Sequence, residues 1–392
     1  MITLSTADKA LKSVYLGVIG NQLNYGANAL LSRIKQTTNN VYGNEIIKST
    51  SYGISGGIGA GSETDALPQA VNKKYAQFKT TLKNLYGTLE ISDKAIRCSQ
   101  NNAGAFVNLL NEEMESLIKS STFNLGRMLY GDGTGVLGKI TVANEEADTE
   151  FTVDNVRNFA INQCVKLLSS AGTGYNATYN SMMIVENVDV ANSKIILDHP
   201  AEASFKDLKL AVANGFNREL TGLGAIFGTS STLYGVNRSQ NKWLKPYTKT
   251  AVGNISESAM QTAIDEIADT AGSDVDFIAC SSKVRRYYQD CIKSYKRNID
   301  VMDLQGGFRA LTYNGIPVVN DRFVADGDMY LLSTKDFELC QLGDWEWIEG
   351  NDGRIIKQKE GYPTYTATLV KYAELICNRP YCRKISLILD TG

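Results

Sequence analysis

Residues 101–142 read NNAGAFVNLLNEEMESLIKSSTFNLGRMLYGDGTGVLGKITV. Apolar side chains recur at three and four through Ala103, Phe106, Val107, Leu110, Met114, Leu117, Ile118, Leu125, Met128 and Leu129, with Ser121 in the same stripe. Asn111, Glu112, Glu115, Lys119 and Asn124 hold the other face. That period predicts one amphipathic helix over 101–130, roughly 42 Å long at ~1.5 Å per residue and longer than most globular helices. A helix of this length serves as the spine of a domain. Gly131-Asp132-Gly133 is its left-handed stop. Val136, Leu137, Lys139, Ile140, Thr141 and Val142 read as a strand beyond it.

The same stretch carries a near-miss for a phosphate-gripping loop. Gly133 to Ile140 fits G-x-x-x-x-G-K-[ST] except at the last place, where Ile140 stands in for the hydroxyl that ligates magnesium. A phosphate loop also runs strand, glycine loop, helix, so that backbone amides and the helix N-terminus face the phosphates. Here the order is helix, loop, strand. Lys139 is therefore a strand residue, and no nucleotide site is expected.

Working outward, the 392-residue chain is long enough for two or three domain-sized units. Its 40 basic and 42 acidic side chains leave a net charge of -2, which excludes a dedicated nucleic-acid reader held by a positive field. With 43% hydrophobic residues and 6 prolines it reads as globular throughout. Cys98, Cys164, Cys280, Cys291, Cys340, Cys377 and Cys382 are odd in number, scattered and without a C-x-x-C pair. They fit free thiols in a reducing compartment rather than a disulfide framework or zinc knuckle. One histidine, His199, precedes Pro200, so any multi-histidine metal site is excluded and His199 reads as a loop residue. Lys9 and Lys12 precede the short apolar run 14–19, but Gly17 interrupts it and Asn21, Gln22 and Asn24 follow. An amphipathic segment is expected there rather than a signal peptide. No stretch approaches the ~18 apolar residues of a membrane span.

Before the spine, Tyr52 to Ser62 carries Gly53, Gly56, Gly57, Gly59 and Gly61, followed by Glu63, Asp65 and Pro68. Glycine this dense predicts a long pliable surface loop, and long loops inside compact domains tend to have a job. Residues 71–91 beyond it read as extended strand: Phe78, Thr80 and Leu82 share one face, Leu85, Leu89 and Ile91 the other after a shift, and Lys73, Lys79 and Lys83 stay wet. Val41 and Ile46-Ile47 are the candidate partner strand. Such a projecting two-stranded arm is marginal alone and is expected to lie on something else.

After the spine, residues 152–335 alternate helix and strand as one mixed α/β unit. Asp154 is expected to cap a helix with Val156, Phe159, Cys164 and Leu167 on its apolar face, and Ser258 with Gln261 to open another. Ser282 is expected to cap a third, basic helix through Tyr287, Tyr288 and Tyr295; its Lys283, Arg285, Arg286, Lys293, Lys296 and Arg297 read as a solvated face. Residues 181–185, 276–280, 316–319 and 329–332 read as strands, the last two flanking a hairpin-type turn at Asp326-Gly327. From Phe337 to Leu389 the pattern is mostly strand, above all Tyr365 to Leu375, and is expected to return onto the spine helix. The carboxylate pairs Glu112-Glu113 and Glu145-Glu146 lie on exposed, charged stretches, and Asp326-Gly327-Asp328 lacks the further ligands of a calcium loop. No catalytic constellation rises above noise.

That order of arm, spine helix, strand, α/β unit and returning strands resembles the major capsid proteins of tailed bacteriophages, with the α+β Hong Kong 97-type fold. Ser231-Thr232-Leu233-Tyr234-Gly235-Val236-Asn237-Arg238-Ser239, then Trp243 and Pro246, is similar to the Y-G-x-x-R…W stretch met in a subset of these shells. Asn314-Gly315-Ile316-Pro317-Val318-Val319 followed by Asp326-Gly327 resembles the family's G-[IL]-P-V-V strand and hairpin. The resemblance in order covers nearly the whole chain.

The resemblance implies a structural subunit that assembles with itself into the pentamers and hexamers of an icosahedral head, with no catalytic residue, cofactor, metal or membrane. Residues 1–40 would be an N-terminal arm, 41–95 an extended loop over a neighbouring subunit, and 96–149 the peripheral domain's spine helix and first strand. Residues 150–335 would be the axial domain, 336–376 returning peripheral strands and 377–392 a C-terminal segment. Tyr52, Gly53, Gly56, Gly57, Gly59, Gly61, Lys73 and Lys79 are the implied inter-subunit contacts. Portal and decoration proteins, and packaged double-stranded DNA held by non-specific contact, are the implied partners in a virion assembled in the host cytoplasm. Only about 40 residues precede the arm, so a separate scaffold protein is expected rather than a cleaved leader. Some relatives cross-link subunits through a Lys–Asn isopeptide bond; Lys48, Lys73 and Lys74 match that role by location only. The alternatives are an encapsulin-like nanocompartment shell and, in a different class, an enzyme resting on His199 and the glycine loop.

Overall fold

The computed structural model describes residues 16 and 19 and the chain from 22 to 386, apart from 27, 54–55, 65, 67, 95, 97–102, 144–148, 201, 251, 296–300, 304–308 and 380–382. The first fifteen residues, Glu145-Glu146, Cys98 and Cys382 thus lie outside the described residues.

The spine helix runs Ala103–Tyr130, 28 residues. Met114, Leu117, Leu125 and Leu129 are buried in the largest core, and Glu112, Glu115 and Lys119 are exposed. At its end Gly131 N–H donates to Met128 O at 3.1 Å. The reversal comes slightly later than expected, with Gly133 and Gly135 at φ +81° and +75°. A Cβ on Gly135 would meet Gly215 O at 2.8 Å, so glycine there allows both the turn and a close backbone approach. The strand Val136–Ala143 follows, and Lys139 reaches Asp207 at 2.6 Å. Helix, loop, strand is the observed order.

That strand opens a closed six-stranded barrel, in which it is joined by Glu150–Val153, Cys164–Leu167, Met183–Asp189, Lys194–Leu197 and Lys209–Val212. Phe151, Val153, Val165, Leu167, Val185, Ile195 and Phe205 fill its interior. The helix expected from Asp154 is corrected here to strand, turn, strand. Asn155, whose side chain accepts from Arg157 N–H, caps a single 3-10 turn, Val156–Asn158. Asn162 at φ +66° then breaks any continuation. Val156, Phe159 and Leu167 do share one core, the first two from this turn and its cap, Leu167 from the next strand.

The second core forms around a seven-stranded sheet in the order Tyr247–Lys249, Arg383–Ser386, Asp328–Leu332, Phe277–Cys280, Ile316–Asn320, Arg309–Tyr313, Val301–Asp303. Alternation divides its strands between two buried faces. Phe277, Ala279, Val319, Tyr330 and Leu332 face the spine-helix core. Ile278, Cys280, Val318, Met329 and Leu331 face the helices Glu257–Ala271 and Ser282–Tyr295. This explains the unbroken apolar runs, which period-2 reading alone cannot orient.

Three local expectations shift. The first of these helices is capped by Ser256, whose hydroxyl accepts from Ala259 N–H, not by Ser258. Ser281 Oγ, not Ser282, accepts from Val284 N–H at 3.4 Å. Asp326-Gly327 is no hairpin, because Phe277–Cys280 lies between the two flanking strands; Asp326 pairs with Arg157 of the barrel at 2.8 Å instead.

A six-stranded sheet is built on the 14-residue strand Thr364–Cys377. Lys83–Ser92 pairs along one edge of it from Lys83↔Ala373 to Ser92↔Thr364. Phe337–Gln341 pairs on the other and is itself joined in parallel by Lys35–Thr37. Leu85, Leu89, Leu369 and Leu375 share the core of Met114 and Leu117, so the returning strands do pack on the spine. Gly87 sits at the contact, where a Cβ would come 2.9 Å from Leu117 Cδ1.

Candidate functional site: the arm and its anchor

The arm is a three-stranded sheet of Val41–Tyr42, Glu45–Tyr52 and Lys74–Thr81, in antiparallel register from Glu45↔Thr81 to Tyr52↔Lys74. The single strand read over 71–91 divides at Leu82, which is buried and whose N–H donates to Asn44 O at 3.1 Å. Before Leu82 the chain belongs to the arm; after it, to the six-stranded sheet. The face shift between Phe78 and Leu85 marks this division.

At its base the arm is fastened by several kinds of contact. Ile46, Phe78 and Leu82 share a core with Leu233, Tyr234, Leu244, Cys340 and Ile376. The Tyr52 ring stacks on Trp243 at 4.6 Å and 13°. Phe78 lies 5.5 Å from Tyr234 and 6.2 Å from Trp243, and such aromatic pairs add to plain area burial. Lys79 N–H donates to Tyr234 O at 2.9 Å, and Lys48 pairs with Glu338 at 2.5 Å, both ends largely buried.

The anchor's shape follows from Leu233-Tyr234-Gly235-Val236. Strands Thr232–Leu233 and Val236–Asn237 are joined by two residues at φ +47° and +78°, the signature of a type I′ hairpin. A left-handed tyrosine is strained, and its side chain holds it there. The Tyr234 hydroxyl, buried, donates to Leu375 O at 2.9 Å and accepts from Cys377 N–H at 3.2 Å. Burial, with Cys377 and Glu374 nearby, keeps the phenol far above its ordinary range. Arg238, 3% exposed, donates to Ile226 O at 2.6 Å and Gly228 O at 2.7 Å, closing the carbonyl end of the helical turn Leu223–Ile226. Tyr234, Gly235, Arg238 and Trp243 are therefore a fastening for the arm's base.

Beyond Tyr52 and Gly53 (φ +77°) the loop doubles back on itself. A Cβ on Gly56 would come 3.1 Å from Val71 Cβ, one on Gly57 3.2 Å from Ala70 Cα, and one on Gly59 3.3 Å from Pro68 Cγ. Glycines let the two limbs lie side by side. Gly53, Gly56, Gly57, Gly59, Gly61 and Lys73 are all exposed. Lys79 lies nearer the base, paired with Glu45 at 3.0 Å, and Tyr52 belongs to the anchor. Sequence reading missed Ile58, 88% exposed, and Val71, 55% exposed. The signal was there: an isoleucine isolated among glycines has no core of its own to join.

Elsewhere, no group of three His, Cys, Asp or Glu side chains suited to a metal comes together among the described residues. His199 Nδ1 lies 2.8 Å from Pro200 O, beside Phe205. Cys280, Cys340 and Cys377 are buried free thiols, and burial pushes Cys280 up to about 12 and Cys340 to about 11. No described helix is long and apolar enough to cross a membrane. A cavity of about 820 Å³ opens between residues 81–88, spine residues 117–128 and the turn 212–219.

No protein-family model and no curated protein matches the chain. Solved structures do. A chain of the cyanophage A-1(L) capsid asymmetric unit aligns at a TM-score of 0.50 and 11% identity, over 93% of this chain and 91% of that one. The Mycobacterium phage Bobi structure aligns at 0.46 and 9%, covering 100% of both chains. The SrpI encapsulin of Synechococcus elongatus aligns at 0.42 and 7%, over 91% and 86%. The first likeness shows that this chain has the α+β fold of a phage capsid subunit, the Hong Kong 97-type fold.

Proposed function

We propose that the chain is the major capsid protein of a tailed bacteriophage, a non-enzymatic subunit that builds an icosahedral head around double-stranded DNA. The observation that carries the reading is the arm: fastened at its base, exposed along its outer half, and presenting the apolar side chains of Ile58 and Val71 to its surface. In this reading residues 41–95 lie over a neighbouring subunit, and Tyr52, Gly53, Gly56, Gly57, Gly59, Gly61, Lys73 and Lys79 line that contact. The spine helix and six-stranded sheet are the peripheral domain, and the seven-stranded sheet gathers around the five-fold and six-fold axes. Scaffold, portal and decoration proteins join it in the host cytoplasm, and the finished protein resides in the virion. Near-neutral net charge fits DNA held by confinement and non-specific contact.

Electron microscopy of the expressed chain, alone and with candidate scaffold, tests this. Closed shells or pentamer and hexamer rings are expected. Monomers under all conditions overturn it. Shells that recruit a protein cargo and never DNA would favour the encapsulin-like alternative.

A further inference from the structure

Lys371 stands mid-strand in Thr364–Cys377 with 2% of its side chain exposed. Its Nζ donates to Asn24 Oδ1 at 2.8 Å and to Gln36 Oε1 at 3.1 Å, and lies 3.2 Å from Asp344 Oδ1. Asn24, 6% exposed, donates from Nδ2 to the same Asp344 oxygen at 2.8 Å. The Trp345 ring lies 5.5 Å from the amine and is itself buried. An amine, a carboxamide and a carboxylate thus meet pairwise at hydrogen-bond distance, where two of the three are shut away from water. A buried lysine needs only one carboxylate for charge balance. Here the carboxylate touches both the amine and the carboxamide nitrogen, which is the place a proton carrier between them must occupy.

We propose that Lys371 and Asn24 join in an isopeptide bond within one chain, with Asp344 carrying the proton. In the step, Asp344 accepts a proton from the Lys371 ammonium, and the freed amine attacks Asn24 Cγ. The Nζ–Cγ bond forms and the Cγ–Nδ2 bond breaks. Nδ2 takes the proton from Asp344 and leaves as ammonia, and the surplus proton of the attacking nitrogen ends on that ammonia as ammonium. Lysine ammonium plus carboxamide gives amide plus ammonium, with no oxidant or reductant. Burial holds the amine below the ordinary lysine range, against the pull of Asp344. Asp344 is held ionised: burial raises it, but the Asn24 hydrogen bond and the Lys371 charge outweigh that. The amine's shift favours the first proton transfer, and the ionised Asp344 is in the form that accepts it, although its own shift opposes the transfer.

The bond ties the segment Gln22–Gly26 to the central strand of the six-stranded sheet. It joins no subunits and uses none of Lys48, Lys73 or Lys74. It needs only the folded chain, so it stands or falls separately from the shell reading.

Denaturing mass spectrometry and a tryptic map of the full-length purified protein test it. A mass about 17 Da below that of the sequence is expected, the loss of one ammonia. With it should come a linked peptide pair joining Asn24 to Lys371, and no cleavage after Lys371. Asp344→Asn, shown folded by an unchanged circular dichroism spectrum, should return the full mass and the free peptides. Full mass in the parent protein, with cleavage after Lys371, overturns the proposal. A link to Gln36 instead overturns it as well, and a link that persists in Asp344→Asn overturns the role of Asp344.

Discussion

Glu374 is fully buried beside the anchor. Its carboxylate accepts from Thr221 N–H at 2.7 Å, Thr221 Oγ1 at 3.1 Å and Leu375 N–H at 3.0 Å. Burial nonetheless raises it to about 7, against those bonds and Lys83. Above pH 7 the group is charged both folded and unfolded, and the fold bears the whole penalty, about 3 kcal/mol by order of magnitude. As pH falls through 7 the folded state takes the proton first and the penalty fades toward the ordinary carboxylate range. The chain should therefore be more stable to urea at pH 5.5 than at pH 8 through this group. Glu374→Gln should narrow that difference, with its largest stabilising effect at pH 8. Tyr234→Phe should cost about 1–3 kcal/mol, because it strands a buried carbonyl and a buried N–H; denaturant titration reads it. The tyrosine's role was legible in sequence only as part of a resemblance. Neither its positive φ nor its reach to residues 375 and 377 can be seen from neighbours in the chain.

Among the elements, those whose pattern reflects their own face were readable, and those decided by a distant partner were not. The spine helix announced itself because its stripe persists for eight turns and ends at glycines. The break at Leu82 left only a face shift, since both halves remain extended and only their partners differ. Asp154 misled because Val156, Phe159 and Leu167 mimic helical spacing, while the first two belong to one 3-10 turn and its cap and Leu167 to a barrel strand. At this scale the anchor is testable. Trp243→Ala removes the stack on Tyr52 and the contact with Phe78, and should cost about 2–4 kcal/mol locally. Amide exchange should speed up across Glu45–Tyr52 and Lys74–Thr81 and stay unchanged in the barrel, which has its own core. Uniform acceleration throughout would show that the arm is not a separate unit.

For the whole molecule, the order of units was legible because each carries a distinct composition. Hidden were the barrel, which runs from the strand Val136–Ala143 to Lys209–Val212, and the strand Arg383–Ser386, which joins the seven-stranded sheet rather than the six-stranded one. Both arise from pairings between residues far apart in sequence. If the arm's outer half is the contact between subunits, Ile58→Asp with Val71→Asp should leave melting temperature within a degree or two while abolishing or delaying shell formation in light scattering. Equal loss of folding and assembly would mean those side chains serve the monomer.

The strand Thr364–Cys377 has a consequence for how quickly this molecule can be made. Its long partner, Lys83–Ser92, leaves the ribosome some 280 residues earlier, the separation between the facing Thr88 and Thr368. Until the later strand arrives, the earlier one waits with an apolar face and an open edge. Sheets closed over such sequence distances form slowly and are prone to wrong pairing meanwhile. Yield should thus be governed by temperature and chaperone supply during synthesis more than by the stability of the finished fold.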